Sequence, residues 1–315
     1  MRLSTVILPI ERWPTSIEKW RRAEELGFHA AYTYDHLSWQ RLIDRPWFGA
    51  VPTLSAAAMA TSRLRLGTMV TTPNFRHPVP LAKDLLSIDD ISAGRLIVGV
   101  GSGGLGADAT ALGEPAWTPR ERALRFAEFV GLLDELLRNA ESTVEGDFYS
   151  AHDVRMVPGT VQRPRPPMFV AANGVRGMRI AARIGEGWIT LGRSANDDES
   201  CFDVVREQIV KLDDALASSR RSPSQFEKVL LQGFSDERPL ESLDAFVDWA
   251  GHYAALGITE LVVHWPIAGS VFDADPGTFE RIATEGLGQL GASSGARDRD
   301  IRHDGDGHGA SEPPI

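Results

Sequence analysis

Short apolar runs, of roughly the length of a buried strand, alternate along this chain with longer segments in which apolar residues return every three or four positions. The first run, Leu3 to Leu8, leads into an amphipathic segment whose Thr15-Ser16-Ile17-Glu18 start fits a capping box and whose end places Gly27 at the C′ position. Further strands are predicted at Ala30 to Tyr34, around Leu64 to Val70, and in RLIVGVGSG after Gly94. Helices are predicted over Val51 to Thr61 and over 79–92, where Leu81, Leu85, Ile88 and Ile91 share a face. Thr118-Pro119-Arg120-Glu121 joins a capping box to a proline at the first helical position, and Phe126, Phe129, Val130, Leu133 and Leu137 mark the buried side of the helix it opens.

After this fourth helix, residues 139–165 have no helical period and read as an insertion of extended pieces. PPMFVAANG resumes the alternation with a strand. A helix over 175–185, a strand at GWITLG, a helix over 198–219, a strand at KVLLQGFS, a helix over 240–255, a strand at TELVVHW and a last helix from Pro276 complete eight β/α pairs. Strands apolar on both faces belong to a parallel sheet covered by helices, so the fold class is α/β and the architecture a (β/α)8 TIM barrel. An open doubly wound sheet is disfavoured because no Gly-rich dinucleotide fingerprint follows the first strand. The barrel domain spans 1–291 with its insertion at about 139–165. Residues 292–315 are nearly devoid of apolar side chains and are expected to be a disordered tail in which His303 and His308 are solvated.

The 315 residues carry a formal net charge of −10, which opposes nucleic acid and anionic membranes as partners. The single cysteine, Cys201, allows no internal disulfide or cysteine zinc cluster, and its helical setting favours an inert thiol. Neither HExxH nor a close His/Asp/Glu cluster supports a metal site, and no GxSxG elbow supports acyl transfer. No segment reaches the length of a membrane span and no apolar leader precedes the first strand, so the expected location is cytoplasmic.

In a barrel of this kind chemistry collects at the carboxyl ends of the strands. The second strand ends in YTYDHLSW, which puts Asp35 and His36 at the mouth. An imidazole exchanges a proton near neutral pH, and a neighbouring carboxylate can orient its ring; an ion pair that fastens a loop is the alternative. Gly67 within LRLGTMVTTPNFRHP signals a bend where backbone could approach a planar ligand. The stretch VGVGSGGLG, 98–106, offers small residues and free backbone N–H groups, or simply a flexible loop. Ala172-Asn173-Gly174 ends a strand where a helix begins, and Thr190-Leu191-Gly192 ends the next; together their backbone donors can hold one phosphate. Arg176, Arg179 and Arg183 are read as the solvated outside of that helix. Trp39, Trp47 and Phe48, on the loop after the second strand, line an apolar substrate pocket or cover the barrel edge.

Taken in order, YDH, LRLGTMVTTPNFRHP, DDISAGRLIVGVGSG, GTVQRPRPPMFVAANG and AARIGEGWITLG resemble the luciferase-like monooxygenase superfamily of flavin and deazaflavin oxidoreductases. The resemblance implies a TIM barrel whose cofactor ring lies against Thr68, Met69, Val70 and Thr71, where the family often has a non-prolyl cis peptide. Ser102 and Gly103 would join the cofactor contacts, and Ala172, Asn173, Gly174, Thr190, Leu191 and Gly192 would carry the phosphate. His36 would be the catalytic proton carrier, with Asp35 supporting it. Ser102 stands where sugar-phosphate dehydrogenases of the superfamily have an acid, which leaves the substrate open. Coenzyme F420 is the implied cofactor and FMN, with a separate reductase and O2, the alternative; a non-catalytic flavin-binding barrel is a third reading. A small-molecule substrate and a homodimer complete the expectation.

Overall fold

The computed structural model describes residues 1–104, 106–192 and 199–290; the predicted tail at 292–315 lies outside the described residues. Eight parallel strands close a barrel: β1 (Arg2–Val6), β2 (Ala30–Thr33), β3 (Arg65–Thr68), β4 (Leu96–Gly101), β7 (Met168–Ala171), β8 (Gly187–Thr190), β9 (Glu227–Leu231) and β10 (Glu260–His264). β1 pairs with both β2 and β10, which seals the sheet. The helices are α1 (Trp13–Glu25), α2 (Ala50–Ala60), α3 (Pro78–Ile91), α4 (Pro119–Arg138), α5 (Val175–Ile184), α6 (Cys201–Ser218), α7 (Leu243–Ala255) and α8 (Pro276–Arg281), the last continuing into a π-turn. Within 139–165 the extended pieces form one antiparallel hairpin, β5 (Glu141–Val144) with β6 (Ala151–Arg155).

Barrel strands bury both faces because successive side chains point to opposite sides. Along β10, Leu261 and Val263 pack among the surrounding helices while Val262 joins Val6, Ile97, Phe169, Ile189 and Val229 inside the cylinder. Near its floor the interior holds a polar pair: the Tyr32 hydroxyl donates to Glu260 Oε1 at 2.9 Å. Gly67 makes room for that ring, since a Cβ there would lie 2.8 Å from Tyr32 Cδ1. The glycine expected to admit a planar ligand therefore serves the packed interior.

Two local starts differ in their chemistry. Thr118 and Glu121 form the expected capping box at α4, with the Glu121 N–H donating to Thr118 Oγ1 at 3.3 Å and the Thr118 N–H to Glu121 Oε2 at 3.0 Å. At α1 the box at Thr15 to Glu18 is absent. Arg12 is the N-cap and Ser16 is buried. Pro14, whose fixed φ suits a first helical turn, starts the helix ahead of the matching letters.

At the carboxyl end of the barrel, β3 leaves its regular path and rejoins β4. The peptide between Met69 and Val70 is cis. Thr71 then bridges Val100, its N–H donating to Gly99 O and its carbonyl accepting from Gly101 N, both at 2.9 Å. A Cβ on Gly99 would sit 2.0 Å from the Thr68 carbonyl oxygen, and one on Gly101 would sit 2.6 Å from Val70 Cγ2. The small residues of β4 thus give their space to the β3 bend rather than to open solvent. Gly99→Ala drives a methyl into backbone and is expected to lower unfolding free energy by about 3 kcal/mol, measured by urea denaturation; an unchanged midpoint would show that the bend relaxes freely.

Candidate active site at the barrel mouth

Asp35 and His36 follow β2 directly, so both reach the mouth, but they face different partners. The Asp35 carboxylate is buried and gripped by Arg76, whose Nε donates to Oδ2 at 3.0 Å and whose Nη2 donates to Oδ1 at 2.7 Å. The Thr71 hydroxyl adds a bond to Oδ2 at 2.6 Å. This fork ties the end of β2 to the β3 bend and leaves Asp35 no role in orienting His36. The alternative reading of Asp35, an ion pair that fastens a loop, matches the observed geometry.

The partner of His36 is Asp108, in the loop after β4. Asp108 Oδ2 pairs with His36 Nδ1, and Oδ1 accepts from the Leu37 N–H at 2.8 Å and the Ser38 N–H at 3.4 Å. A carboxylate only accepts, so His36 Nδ1 carries a proton in this pair. The ring is partly exposed while Asp108 is buried. Trp47 steadies the same turn by donating from Nε1 to the His36 carbonyl at 2.8 Å.

Beside His36 stands an aromatic wall. Trp39 stacks on Phe272 with ring centroids 5.7 Å apart, Phe272 stacks on His264 at 3.7 Å, and Phe234 meets Trp39 edge-on at 6.5 Å. Tyr34 lies at the centre, 5.8 Å from the His36 ring and 5.6 Å from Trp39. Burial lowers the His264 pKa from its usual 6.5 to about 3 and holds the Tyr34 phenol far above its ordinary value. The phenol therefore donates to His264 Nε2, 2.8 Å away, and both groups are neutral at physiological pH. Trp39 is part of this wall, and Trp47 meets it with ring centroids 6.5 Å apart.

Across the mouth, Ser102, Ala172, Asn173 and Gly174 line a cavity of about 160 Å³ with Arg122 and Arg176. Gly174 is the N-cap of α5 and no side chain caps it, so the first N–H groups of that helix remain available to an anion. Arg176 is exposed along with Arg179 and Arg183, yet it also borders this cavity. The second expected cradle is different: the Gly192 N–H donates to Thr190 Oγ1 at 3.0 Å, and that hydroxyl donates to Gln208 Oε1 at 2.5 Å. Gly192 is thereby removed from the phosphate donors, and a Cβ on it would strike Cys201. Leu191 and Val70 pack against the mouth cluster, whereas Gly103 packs on the Asn74 side chain, which a Cβ would meet at 2.5 Å. Burial pushes the Cys201 thiol up to about 11, in keeping with an inert group. Among the described residues no group of three or more His, Cys, Asp or Glu is placed to hold a metal ion, and no helix is long and apolar enough to cross a membrane.

The model of the luciferase-like monooxygenase family matches residues 4–256. The chain belongs to this family. A curated relative, the F420-dependent glucose-6-phosphate dehydrogenase of Beutenbergia cavernae, is 34% identical over 200 residues, 62% of this chain and 58% of that one. The chain thus spans less than two thirds of that relative's length. Among solved structures, monooxygenase RslO1 from Streptomyces bottropensis is 29% identical with a TM-score of 0.61, covering 73% of this chain and 70% of that one. The coenzyme F420 dependent tetrahydromethanopterin reductase of Methanopyrus kandleri has the same fold, with a TM-score of 0.72 at 18% identity over 92% of this chain and 99% of that one.

Three side chains of the mouth, Asp108, Arg76 and Arg122, had no signal of their own in the sequence; His264 closes β10, the same strand-end position that points to His36. The mouth histidine also sets a pH dependence. A histidine whose pKa falls on folding binds its proton in the unfolded chain first, so stability is complete above about pH 6.5 and is lost as pH drops towards 3. His29, lowered to about 4 by burial, acts in the same direction. Unfolding free energy from urea titrations is expected to fall between pH 7 and 5, and His264→Phe to flatten that fall by up to about 1.4 kcal/mol per pH unit. An identical slope in the variant would contradict a neutral buried His264.

Proposed function

We propose that this protein is an F420-dependent oxidoreductase that moves a hydride between the deazaflavin and a small organic substrate at the carboxyl-terminal mouth of the barrel. The observation that carries this reading is the His36–Asp108 pair at the mouth that holds the Met69–Val70 bend, with a cavity lined by Arg122, Arg176 and the start of α5 at the same end of the barrel. The residues fit the cofactor. The uncapped start of α5, with Arg122 and Arg176, suits its phosphate, and the bend offers an apolar backbone surface to its ring. The deazaflavin, when bound, supplies the two-electron chemistry.

The chain's own residues then divide the remaining work. His36 Nε2 takes the hydroxyl proton of an alcohol substrate, or returns one to a carbonyl in the reverse direction. Asp108 fixes the tautomer that makes this possible and offsets the positive charge that develops on the ring. Arg76, Asp35 and Thr71 hold the bend against which the ring would lie. Tyr34, Trp39 and His264 shield the reacting atoms from water.

Cofactor choice is read by fluorescence titration of the purified protein with F420 and, separately, with FMN. Saturable F420 binding is expected, weakened about tenfold by joint replacement of Arg122 and Arg176 with Ala. Tight FMN binding with no response to F420 would favour the two-component monooxygenase alternative. With an active substrate in hand, His36→Ala is expected to lower kcat at least ~100-fold and Asp108→Asn about tenfold, both with F420 affinity retained. Unchanged turnover in His36→Ala would refute the proton-transfer role.

A further inference from the structure

The aromatic wall continues outward into a second, open cavity of about 640 Å³, lined by residues 41–45 of the loop after β2 and residues 269–271 of the loop after β10. Leu42 belongs to both, packing on the mouth cluster while lining the cavity. Arg41 does the same: its guanidinium lies 5.7 Å from the centre of the Phe234 ring, and its charge acts on the Tyr34 hydroxyl. Arg45 is the second cation of the cavity, and neither arginine is in an ion pair with a described residue. Asp44 is the acid among the lining residues, Asp273 Oδ2 accepts from the Gly269 N–H at its edge, and Ile43 and Val271 present exposed apolar surface.

Along the aromatic wall itself His264 is neutral, Arg76 is paired with Asp35, and the other cations of the mouth, Arg122 and Arg176, lie by the start of α5. The protein as a whole carries −10, so an anion approaching this rim meets local cations against a repulsive background. Guanidinium groups over an apolar floor suit a carboxylate on a hydrophobic body, because the fork pairs with the carboxylate while the body is desolvated on the rings.

We infer that the substrate is an amphipathic acid: its apolar body lies along Trp39, Phe234 and Leu42, and its carboxylate reaches Arg41 and Arg45. This deepens the oxidoreductase reading and rests on it for the identity of the site, although binding can be measured without cofactor. A sugar phosphate, lacking an apolar body, would gain little from such a wall.

Isothermal titration calorimetry of the full chain with 2-naphthylacetate, with its neutral analogue 2-(2-naphthyl)ethanol and with glucose 6-phosphate tests the inference. The acid is expected to bind about tenfold more tightly than the alcohol, as one charge-assisted pair would give. Arg41→Ala with Arg45→Ala should abolish the preference, Arg41→Lys with Arg45→Lys should restore part of it, and both pairs of surface changes should leave F420 affinity intact. Equal binding of acid and alcohol, binding of neither, a preference that survives the alanine pair, or glucose 6-phosphate binding more tightly than the acid would each overturn it. If F420 fails to bind while the charge preference follows the arginines, the cofactor reading fails and this one stands. If F420 binds and the preference is absent, the reverse holds.

Discussion

The close contact between two glycines of β4 and the bend at the end of β3 is the constraint on which the mouth depends. With no side chain at Gly99 or Gly101, the Thr68 carbonyl and the Val70 side chain occupy the space a Cβ would need. Thr71 is then locked to β4 by two backbone bonds and its hydroxyl meets Asp35. Asp35 holds Arg76, and His36 is the next residue along the chain. The loop that leaves β4 closes the circuit by bringing Asp108 to His36. Backbone packing and the His36 imidazole are thus parts of one connected arrangement, and a change at β4 reaches the ring through covalent and hydrogen-bonded neighbours rather than through a long path.

Charge is distributed around this opening with a division of labour. The groups deepest in the mouth, Tyr34 and His264, are neutral because burial penalises either ionised form. The cations sit at two edges, Arg122 and Arg176 by the α5 start and Arg41 and Arg45 by the outer loops. Between them stands the partly exposed His36 ring, paired with Asp108. Under the proposed reaction, such a layout would hold anionic handles at both ends while the aromatic groups between them shield the reacting alcohol or carbonyl from water.

The sequence made the barrel legible because parallel strands buried on both faces leave continuous apolar runs, and helices between them keep their period. Thr118 and Glu121 cap α4 as their letters suggest, while at α1 the same letters mislead because Pro14 starts the helix earlier. His36 was visible from its place at a strand end. Asp108 was not, since its contact spans 72 residues and depends on how the β4 loop folds back. The glycines of β4 looked like open space because the bend that fills them lies some thirty residues earlier, and Arg122 gave no signal because the cavity it lines forms only where α4 and α5 come together. Asp35 shows the complementary error: adjacency in the chain suggested a partner for His36, whereas alternation along an extended segment sends the two side chains apart.

A crystal structure of the protein with coenzyme F420 tests the central claim most directly. The account requires the deazaflavin ring against the Met69–Val70 bend, its phosphate between Ser102 and the Asn173–Gly174 turn, and His36 Nε2 facing the ring with Nδ1 still on Asp108. A ring bound elsewhere on the barrel, or a His36 that turns from the occupied mouth and leaves Asp108, would contradict it.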